Sequence, residues 1–394
     1  MTAARPEAGS APVAAIVLAA GRSSRMGRQK PLLPFGEGTV LAHVVGELRA
    51  AGIVDVRVVL GHDADEPATA CAALGVRAVL NPDYDRGMFS SIRAGIADLP
   101  ADVAGTLLLP VDVPLVRATT FTTIVATARA TDPTILHPTF RGERGHPPFL
   151  ARRLFPAIFA HDGAGGLAAL LARREADTDE VAVVDRGILC DMDVPEDYAR
   201  LVELLAHRRH PEAIECEAIL DAAVVSDRVR RHVRAVAAFA ATLAERLAAG
   251  GLALDVDLVR AAALLHDVAK GLPRHAETGA AVVSALGFPE VAAVIARHMD
   301  LGEDVGTEPP IDETAIVYLA DKLFREDRLV GLEERFAQAF RRFRDDPAAL
   351  AGARRRHGAA EAIRHAVAGH IDWPWASLDE AGAARLAEPR REAS

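Results

Sequence analysis

The chain has 394 residues, a length that predicts two domains or three, and its net charge of −10 argues against a nucleic-acid groove as its main purpose. Half of the residues are hydrophobic, which excludes wholesale disorder, and no apolar run is long enough to predict a membrane-spanning helix. The three cysteines are scattered without a CxxC pair and no signal peptide is evident, so we expect a cytoplasmic protein without disulfides and without membrane partners.

Short β-rich segments alternate with helical patterns from residue 13 to about residue 205. The clearest strands are predicted at 13–20, 54–61, 76–82 and 105–112, with later β signals near 134–137, 147–150 and 181–184. An amphipathic helix is predicted at 39–52. This alternation indicates βαβ units around a mostly parallel sheet, with a mixed region beside it.

A loop rich in glycine and arginine follows the first predicted strand, with the sequence LAAGRSSRMGRQKPLLPFG over residues 18–36. Its spacing matches neither the P-loop nor the dinucleotide fingerprint. Small residues let backbone N–H groups approach an anion, and Arg22, Arg25 and Lys30 add positive charge, so the loop fits a phosphate site. The alternative is a solvated basic loop between a strand and a helix.

This loop resembles the signature loop of the nucleotidyltransferases related to molybdenum cofactor cytidylyl- and guanylyltransferases. Four later segments resemble that family in the same order, namely NPDYDRGMFSSIRAGI (81–96), LLLPVDVPLV (107–116), RGHPPFL (144–150) and CDMDVPEDY (190–198). The resemblance implies a Rossmann-like (GT-A-like) α/β nucleotidyltransferase domain at 13–205, after a flexible tail at 1–12. Its reaction would transfer a nucleotidyl group from an NTP to a phosphorylated acceptor and release pyrophosphate.

The same resemblance implies the residues of the site. The nucleotide-binding set is Leu18, Ala19, Ala20, Gly21, Arg22, Arg25, Gly27, Lys30, Gly87, Ser91 and Asp112. Arg25 and Lys30 would hold the triphosphate, and Asp112 would bind Mg²⁺ with Asp191 and Asp193. The acceptor would contact Gly145, His146 and Pro147. The alternatives are a turn-forming Asp112, a helix cap or surface charge for Asp191 or Asp193, and a glycine turn with capping serines near Gly87.

Substrate choice follows from the same family likeness. The LAAG form of the first loop resembles the cytidylyl branch, which favours CTP over other NTPs and molybdopterin as the acceptor. Molybdoenzyme maturation proteins would then be partners. The alternative acceptor is another phosphorylated compound, such as a sugar phosphate or an alcohol phosphate.

The second half of the chain shows helical periodicity from residue 226 onward. Helices are predicted at 226–249, 255–268, 275–287, 289–298 and 312–325. A polar, proline-containing segment at 206–225 is predicted to be a linker. Residues 346–394 are predicted to form a helical appendage or tail without an assigned role, with His357, His365 and His370 at its surface.

Six of the chain's histidines and aspartates recur against apolar helical stripes, namely His232, His266, Asp267, His275, His298 and Asp321. Placing an ionisable pair such as His266–Asp267 at the end of an apolar helix is costly unless a ligand satisfies it. One buried histidine is usually just hydrogen-bonded to a carbonyl, but six nitrogen and oxygen ligands in one helical domain indicate a metal centre.

The order H…HD…H…H…D, with HDVAKG and ADKL, resembles the HD superfamily of metal-dependent phosphohydrolases and implies an all-α domain at 226–345. His232, His266, Asp267 and Asp321 would bind one metal, and His275 and His298 a second, with Asp267 bridging. Lys270 would contact phosphate or, alternatively, only close a helix end. All-N/O ligation suits Mn²⁺, Fe or Mg²⁺. The implied activity is hydrolysis of a phosphate ester or nucleotide, and the alternative is a metal-bound regulatory sensor.

Overall fold

The computed structural model describes residues 11–22, 26–302, 305–306 and 309–371. The chain divides into two compact units, with the boundary between residues 206 and 207. Among the helices in the described ranges, none has the length and apolar character that crossing a membrane requires.

The first unit is built on an eight-stranded mixed sheet. Its strands and one short hairpin are β1 (Val13–Ala19), β2 (Pro34–Phe35), β3 (Gly38–Thr39), β4 (Val56–Leu60), β5 (Arg77–Leu80), β6 (Gly105–Pro110), β7 (Ile135–Phe140), β8 (Glu143–Arg144), β9 (Phe149–Ala151) and β10 (Thr178–Ala182). The order in the sheet is β10-β7-β9-β6-β1-β4-β5, with β8 paired to β7. β9 pairs antiparallel with both of its neighbours.

Seven helices accompany this sheet. They are α1 (Val40–Ala50), α2 (Asp65–Leu74), α3 (Met88–Ala97), α4 (Ala118–Thr131), α5 (Phe155–Ala160), α6 (Gly166–Ala172) and α7 (Pro195–Ala206). β1 is buried along its whole length because every one of its residues is apolar, as a central strand covered on both faces requires. The predicted α/β fold class is confirmed, and the antiparallel β9 accounts for the predicted mixed region.

The strand order reverses beside β1. The chain runs from β1 to β4 and β5 on one side and then crosses to β6 on the other side of β1. In open α/β sheets such a switch point opens a crevice at the carboxyl ends of the strands, where ligands bind. The loops after β1 and β6 therefore lie at the position where a binding site is expected.

A buried turn anchors the segment that leads to Asp191 and Asp193. Asp185 is 2% exposed, and its carboxylate accepts hydrogen bonds from the Arg117 amide at 2.8 Å and from the Gly187 amide at 3.0 Å. Downstream, the Met192 amide donates to the carbonyl oxygen of Asp112 at 2.9 Å. The turn thus fixes the segment next to the strand end that carries Asp112.

A Gly187→Ala variant is expected to lose about 3 kcal/mol of stability in the first unit, because the added Cβ would overlap the carbonyl oxygen of Leu115. Gly46→Ala is the matched control, since no atom lies within 4 Å of its added Cβ and alanine favours helix. Hydrogen exchange of β1 and β6 peptides in denaturant measures both variants. Equal protection in the two variants would contradict the packing role of Gly187.

Over its described residues, the second unit is helical apart from one short hairpin. Its helices are α8 (Ala213–Ala222), α9 (Asp227–Ala249), α10 (Val256–Leu265), α11 (His275–Ala285), α12 (Pro289–Arg297), α13 (Glu313–Leu323), α14 (Leu332–Arg342) and α15 (Pro347–His370), and its hairpin is β11 (Phe324–Arg325) with β12 (Arg328–Leu329). The apolar stripes of α9, α10 and α13 pack together, and α13 is buried from Ala315 to Leu323. The all-α prediction is confirmed.

One predicted segment needs correction. The segment predicted as a linker at 206–225 contains α8, whose start is closed by a capping box between Glu212 and Glu215 and whose Cys216 is buried. The described part of the appendage 346–394 is α15, which buries Ile363 and Val367 and packs against α13. The predicted tail at 1–10 and residues 372–394 lie outside the described residues.

Candidate functional sites

A cavity of about 320 Å³ opens at the carboxyl ends of β1 and β6, within the size range of small-molecule pockets. Its lining residues are Leu18, Ala19, Ala20, Gly21, Lys30, Pro31, Tyr84, Gly87, Met88, Ser91, Pro110, Val111 and Asp112. The structure thus brings the predicted residues of three separate sequence segments around one cavity.

Lys30 is the cation of this cavity. Its side chain is 13% exposed, and its Nζ lies 3.0 Å from Oδ2 of Asp112 and 3.1 Å from Oδ1 of Asp193. Burial alone would lower the pKa of Lys30, but the charge of Asp112 and the hydrogen bonds to both carboxylates raise it above its ordinary value. Lys30 is therefore a fixed positive charge, and it joins two segments that are far apart in sequence.

Asn81 positions Ser90 and Ser91 beside the cavity. Asn81 was not among the predicted site residues. Its side chain is buried, and its Nδ2 donates to Ser90 Oγ at 2.8 Å and to Ser91 Oγ at 3.0 Å. Its Oδ1 accepts from the amide of Asp83 at 3.0 Å. The signal that could have found it is an asparagine directly after a strand, where its amide can organise the following turn.

The remaining predicted residues of the first unit lie in different surroundings. Arg22 is exposed and forms a bidentate ion pair with Asp85, whose shortest contact is 2.9 Å. Arg22 does not line the cavity. Gly27 has a φ of +63°, in the region that favours glycine. Asp191 is exposed, and Asp193 contacts Lys30. Arg25 lies outside the described residues.

The predicted acceptor residues form a tightly packed turn. A Cβ on Gly145 would lie 2.5 Å from the carbonyl oxygen of Ile188, so only glycine fits there. His146 is followed by a cis peptide bond to Pro147, and its Nδ1 is buried without a hydrogen-bond partner among the described residues. Burial lowers the pKa of His146, against the opposing charges of Asp112 and Asp191. A neutral imidazole therefore lies near the carboxylates of the cavity.

The second unit brings together all six predicted metal ligands. His232, His266 and Asp267 form one group, and Asp267, His275 and His298 form another, each with its ligand atoms within 4.8 Å of one another. Asp267 belongs to both groups, as a bridging ligand would. Asp321 joins the first group, with its Oδ1 at 3.3 Å from Nε2 of His232 and 3.6 Å from Nε2 of His266.

The two carboxylate oxygens of Asp267 face different histidines. Oδ2 lies 3.6 Å from Nε2 of His266 and 3.8 Å from Nε2 of His232. Oδ1 lies 3.3 Å from Nε2 of His275 and 3.6 Å from Nε2 of His298. This arrangement presents one oxygen to each pair of imidazoles, which is the geometry that two adjacent metal ions require.

The imidazoles are oriented by backbone carbonyls. Nδ1 of His266 lies 2.8 Å from the backbone oxygen of Ala263, and Nδ1 of His298 lies 2.7 Å from the backbone oxygen of Ile295. A carbonyl only accepts, so each Nδ1 carries the proton and each Nε2 presents its lone pair to the centre. Nε2 of His266, His275 and His298 is buried, and it has no hydrogen-bond partner within the described ranges. Buried orphan nitrogens that converge on carboxylates fit metal ligation.

The histidines of the centre, with Lys270, keep Asp267 in its ionised form. Burial opposes ionisation of Asp267, but His266 first, then His275, His298 and Lys270, hold its pKa well below the ordinary value. Lys270 Nζ lies 2.9 Å from Oδ2 of Asp267 and is nearly half exposed.

Asp321 is balanced by a lysine that the sequence analysis did not identify. Burial likewise opposes ionisation of Asp321, and Lys322 most strongly counteracts it, so the pKa of Asp321 is lowered. Lys322 is buried, with its Nζ 2.7 Å from Oδ2 of Asp321 and 3.1 Å from the carbonyl oxygen of His298. The lysine within ADKL was the only available signal, and its partner at His298 could not be inferred from spacing.

The two lysines are expected to separate metal binding from chemistry. Lys322→Met should weaken metal binding about 10- to 100-fold, because it removes a buried group that orients Asp321 and His298. Lys270→Met should retain the metal and lose the hydrolysis that the HD resemblance implies, because Lys270 is a nearly half-exposed cation beside Asp267 that would contact the phosphate. Metal content by mass spectrometry, beside turnover, measures both variants. Full metal content in Lys322→Met would contradict the positioning role of Lys322.

Two known family models match the chain, one in each compact unit. Residues 15–180 match the family model described as MobA-like NTP transferase domain. Residues 229–326 match the family model described as HD domain. The predicted recognition is confirmed, and the chain carries a nucleotidyltransferase domain and an HD domain.

Curated relatives match parts of the chain. A "Bifunctional IPC transferase and DIPP synthase" of Rubrobacter xylanophilus is 45% identical over 94 residues, which is 22% of this chain and 22% of that protein. A "Bifunctional protein GlmU" of Leifsonia xyli is 34% identical over 122 residues, which is 30% of this chain and 25% of that protein. The chain thus spans about a quarter of the length of these relatives.

Among solved structures, Rv0371c of Mycobacterium tuberculosis H37Rv matches with 30% identity and a TM-score of 0.44, over 49% of this chain and 98% of that chain. A manganese complex of the same protein matches with 29% identity and a TM-score of 0.43, over 49% of this chain and 98% of that chain.

Proposed function

We propose that the chain is a bifunctional enzyme in which the first unit transfers a nucleotidyl group from CTP to a phosphorylated acceptor and the second unit hydrolyses a phosphate ester or nucleotide. The observation that carries the first activity is Lys30, held between Asp112 and Asp193 at the mouth of a cavity at the switch point of the sheet. That arrangement provides the positioning and charge that phosphoryl chemistry needs, without a covalent intermediate.

Each group of the first unit has a distinct part in this proposal. Backbone N–H groups of Ala20 and Gly21 would approach the phosphates, because the small side chains leave the backbone accessible. Lys30 would bind the triphosphate and stabilise the charge that develops on pyrophosphate. Mg²⁺ would supply further neutralisation when bound by Asp112 and Asp193.

Molybdopterin is the acceptor that we propose first, in line with the family likeness of the cavity loop. A second candidate is an alcohol phosphate such as an inositol phosphate, since the 45% identical relative is named as an IPC transferase and not as a molybdopterin enzyme. His146, whose Nδ1 is buried, would contact either acceptor phosphate together with Gly145 and Pro147.

Pyrophosphate release by the purified chain tests this proposal. The chain is incubated with each NTP in turn, with molybdopterin, inositol phosphate or no acceptor, in the presence of Mg²⁺. We expect release only with CTP and one acceptor. Release with GTP but not CTP would overturn the proposed base, and release with inositol phosphate alone would favour the second candidate.

The hydrolase activity rests on the shared carboxylate of Asp267 between two histidine groups. Divalent ions such as Mn²⁺, Fe²⁺ or Mg²⁺ would activate water there and neutralise the phosphate. Asp267 and the histidines would hold the ions, and Lys270 would bind a phosphate oxygen. Hydrolysis of nucleotides and p-nitrophenyl phosphate by the metal-loaded chain tests this role. Metal binding without turnover on any of these substrates would favour the sensor alternative.

A further inference from the structure

A second cluster of metal-competent side chains lies outside the residues that match the HD family. Glu333 of α14 and His357 and Glu361 of α15 present one ligand atom each, all within 4.8 Å of one another. His357 and Glu361 are four residues apart on one helix, so their side chains lie on the same face. His357 was predicted only as a surface residue of the appendage, and its contact with Glu333 comes from the packing of α14 against α15.

The imidazole of His357 is held in place by aromatic packing. Its ring meets Phe336 edge-on at a centroid distance of 5.0 Å and Phe340 at 5.6 Å. Its Nε2 is buried and has no hydrogen-bond partner in the part of the chain that the structure describes. That nitrogen lies 3.6 Å from Oε1 of Glu333, a separation close to that of two ligands on one metal ion.

The carboxylate of Glu361 is also oriented. Arg364 donates to its Oε2 from Nε at 2.9 Å and from Nη2 at 2.6 Å, and neither bond uses Oε1. Such an outer partner fixes a ligating carboxylate in the way that ordered metal sites require. An oriented histidine, an oriented glutamate and a nearby flexible glutamate therefore form a three-ligand set.

We propose that Glu333, His357 and Glu361 bind one divalent transition-metal ion that links α14 to α15. One nitrogen and two carboxylate oxygens form a donor set suited to Zn²⁺, which tolerates low coordination numbers and binds more tightly than Mn²⁺ or Mg²⁺ at such sites. The role is structural, because the ion would close α15 onto α14. α15 in turn supports α13, since the backbone oxygen of Arg356 accepts a 2.9 Å hydrogen bond from the hydroxyl of Tyr318.

The test separates this site from the six-ligand centre around Asp267 by using full chains that carry both His266→Gln and Asp267→Asn, called the background chain. Zinc binding is measured by calorimetry, and zinc content is measured after gel filtration. We expect about one equivalent of Zn²⁺, and we expect Glu361→Gln in that background to bind at least about tenfold more weakly. Zn²⁺ should also raise the melting temperature of the background chain but not of the Glu361→Gln chain.

His365→Gln is the matched control, because His365 lies exposed on the same helix and outside the cluster. It should bind zinc like the background chain. His357→Gln should lose zinc as well, and Glu361→Gln decides the outcome if the lost ring packing prevents that variant from folding. Equal zinc binding by the Glu361→Gln and His365→Gln chains, or no binding by the background chain, would overturn the proposal.

Discussion

An Asp267→Asn variant of the full chain is expected to lose the bound metal and the phosphohydrolase activity together, with turnover falling at least about 100-fold. The carboxylate places Oδ2 3.6 Å from His266 and Oδ1 3.3 Å from His275. An asparagine amide presents its single oxygen to the imidazoles on one side and its NH₂ group to the imidazole lone pairs on the other side. The amide can therefore donate to the imidazoles on one side only, and it removes the oxygen that would complete the bridge.

This substitution should keep the fold without metal, because asparagine preserves the side-chain volume. Its melting temperature without metal should fall below that of the parent chain, because the neighbouring histidines and Lys270 stabilise the ionised carboxylate in the folded state. Asp257→Asn is the matched control, since Asp257 lies in the first turn of α10, far from the metal ligands that follow its last turn, and pairs with the exposed His207. Metal content by mass spectrometry and nucleotide hydrolysis measure both variants, and a fully metallated, active Asp267→Asn chain would refute the bridging role.

The central strands and the metal ligands could be predicted for different reasons. β1 is a continuous apolar run, and β4 and β6 are mostly apolar, as strands buried in a parallel sheet are. The histidines of the second unit fall on apolar helical stripes, where a polar side chain needs a partner. In both cases the local pattern contains the physical reason for the structure.

Features that depend on distant partners could not be predicted. Lys322 has its role because the carbonyl oxygen of His298, 24 residues away, accepts from its Nζ. His357 gains Glu333 only because two helices pack. α8 was missed because polar residues and a proline at its start hid a short apolar face around Cys216 and Ile219. Tertiary packing decides each of these cases, and no spacing within the sequence encodes it.

A Lys30→Met variant should lower nucleotidyl transfer about 10²- to 10³-fold, as removal of one preorganised charge-stabilising donor does in other enzymes. Methionine keeps the length of the buried side chain and removes only the charge that lies 3.0 Å from Asp112 and 3.1 Å from Asp193. The same carboxylates are the proposed Mg²⁺ ligands. With Mg²⁺ bound to Asp112 and Asp193, Lys30 would be available to contact the triphosphate instead of these carboxylates. The loss of activity in Lys30→Met should therefore appear in kcat as well as in KM.

Arg28→Met is the matched control for that charge, because Arg28 is exposed in the same loop and does not line the cavity. It should transfer within about threefold of the parent rate, since exposed charges contribute little. Phosphatase turnover, measured on the same samples, should be equal in both variants, because the HD ligands belong to a separate compact unit. If Lys30→Met and Arg28→Met release pyrophosphate equally fast, Lys30 is a structural tie between two carboxylates and the transferase chemistry must rest on another cation.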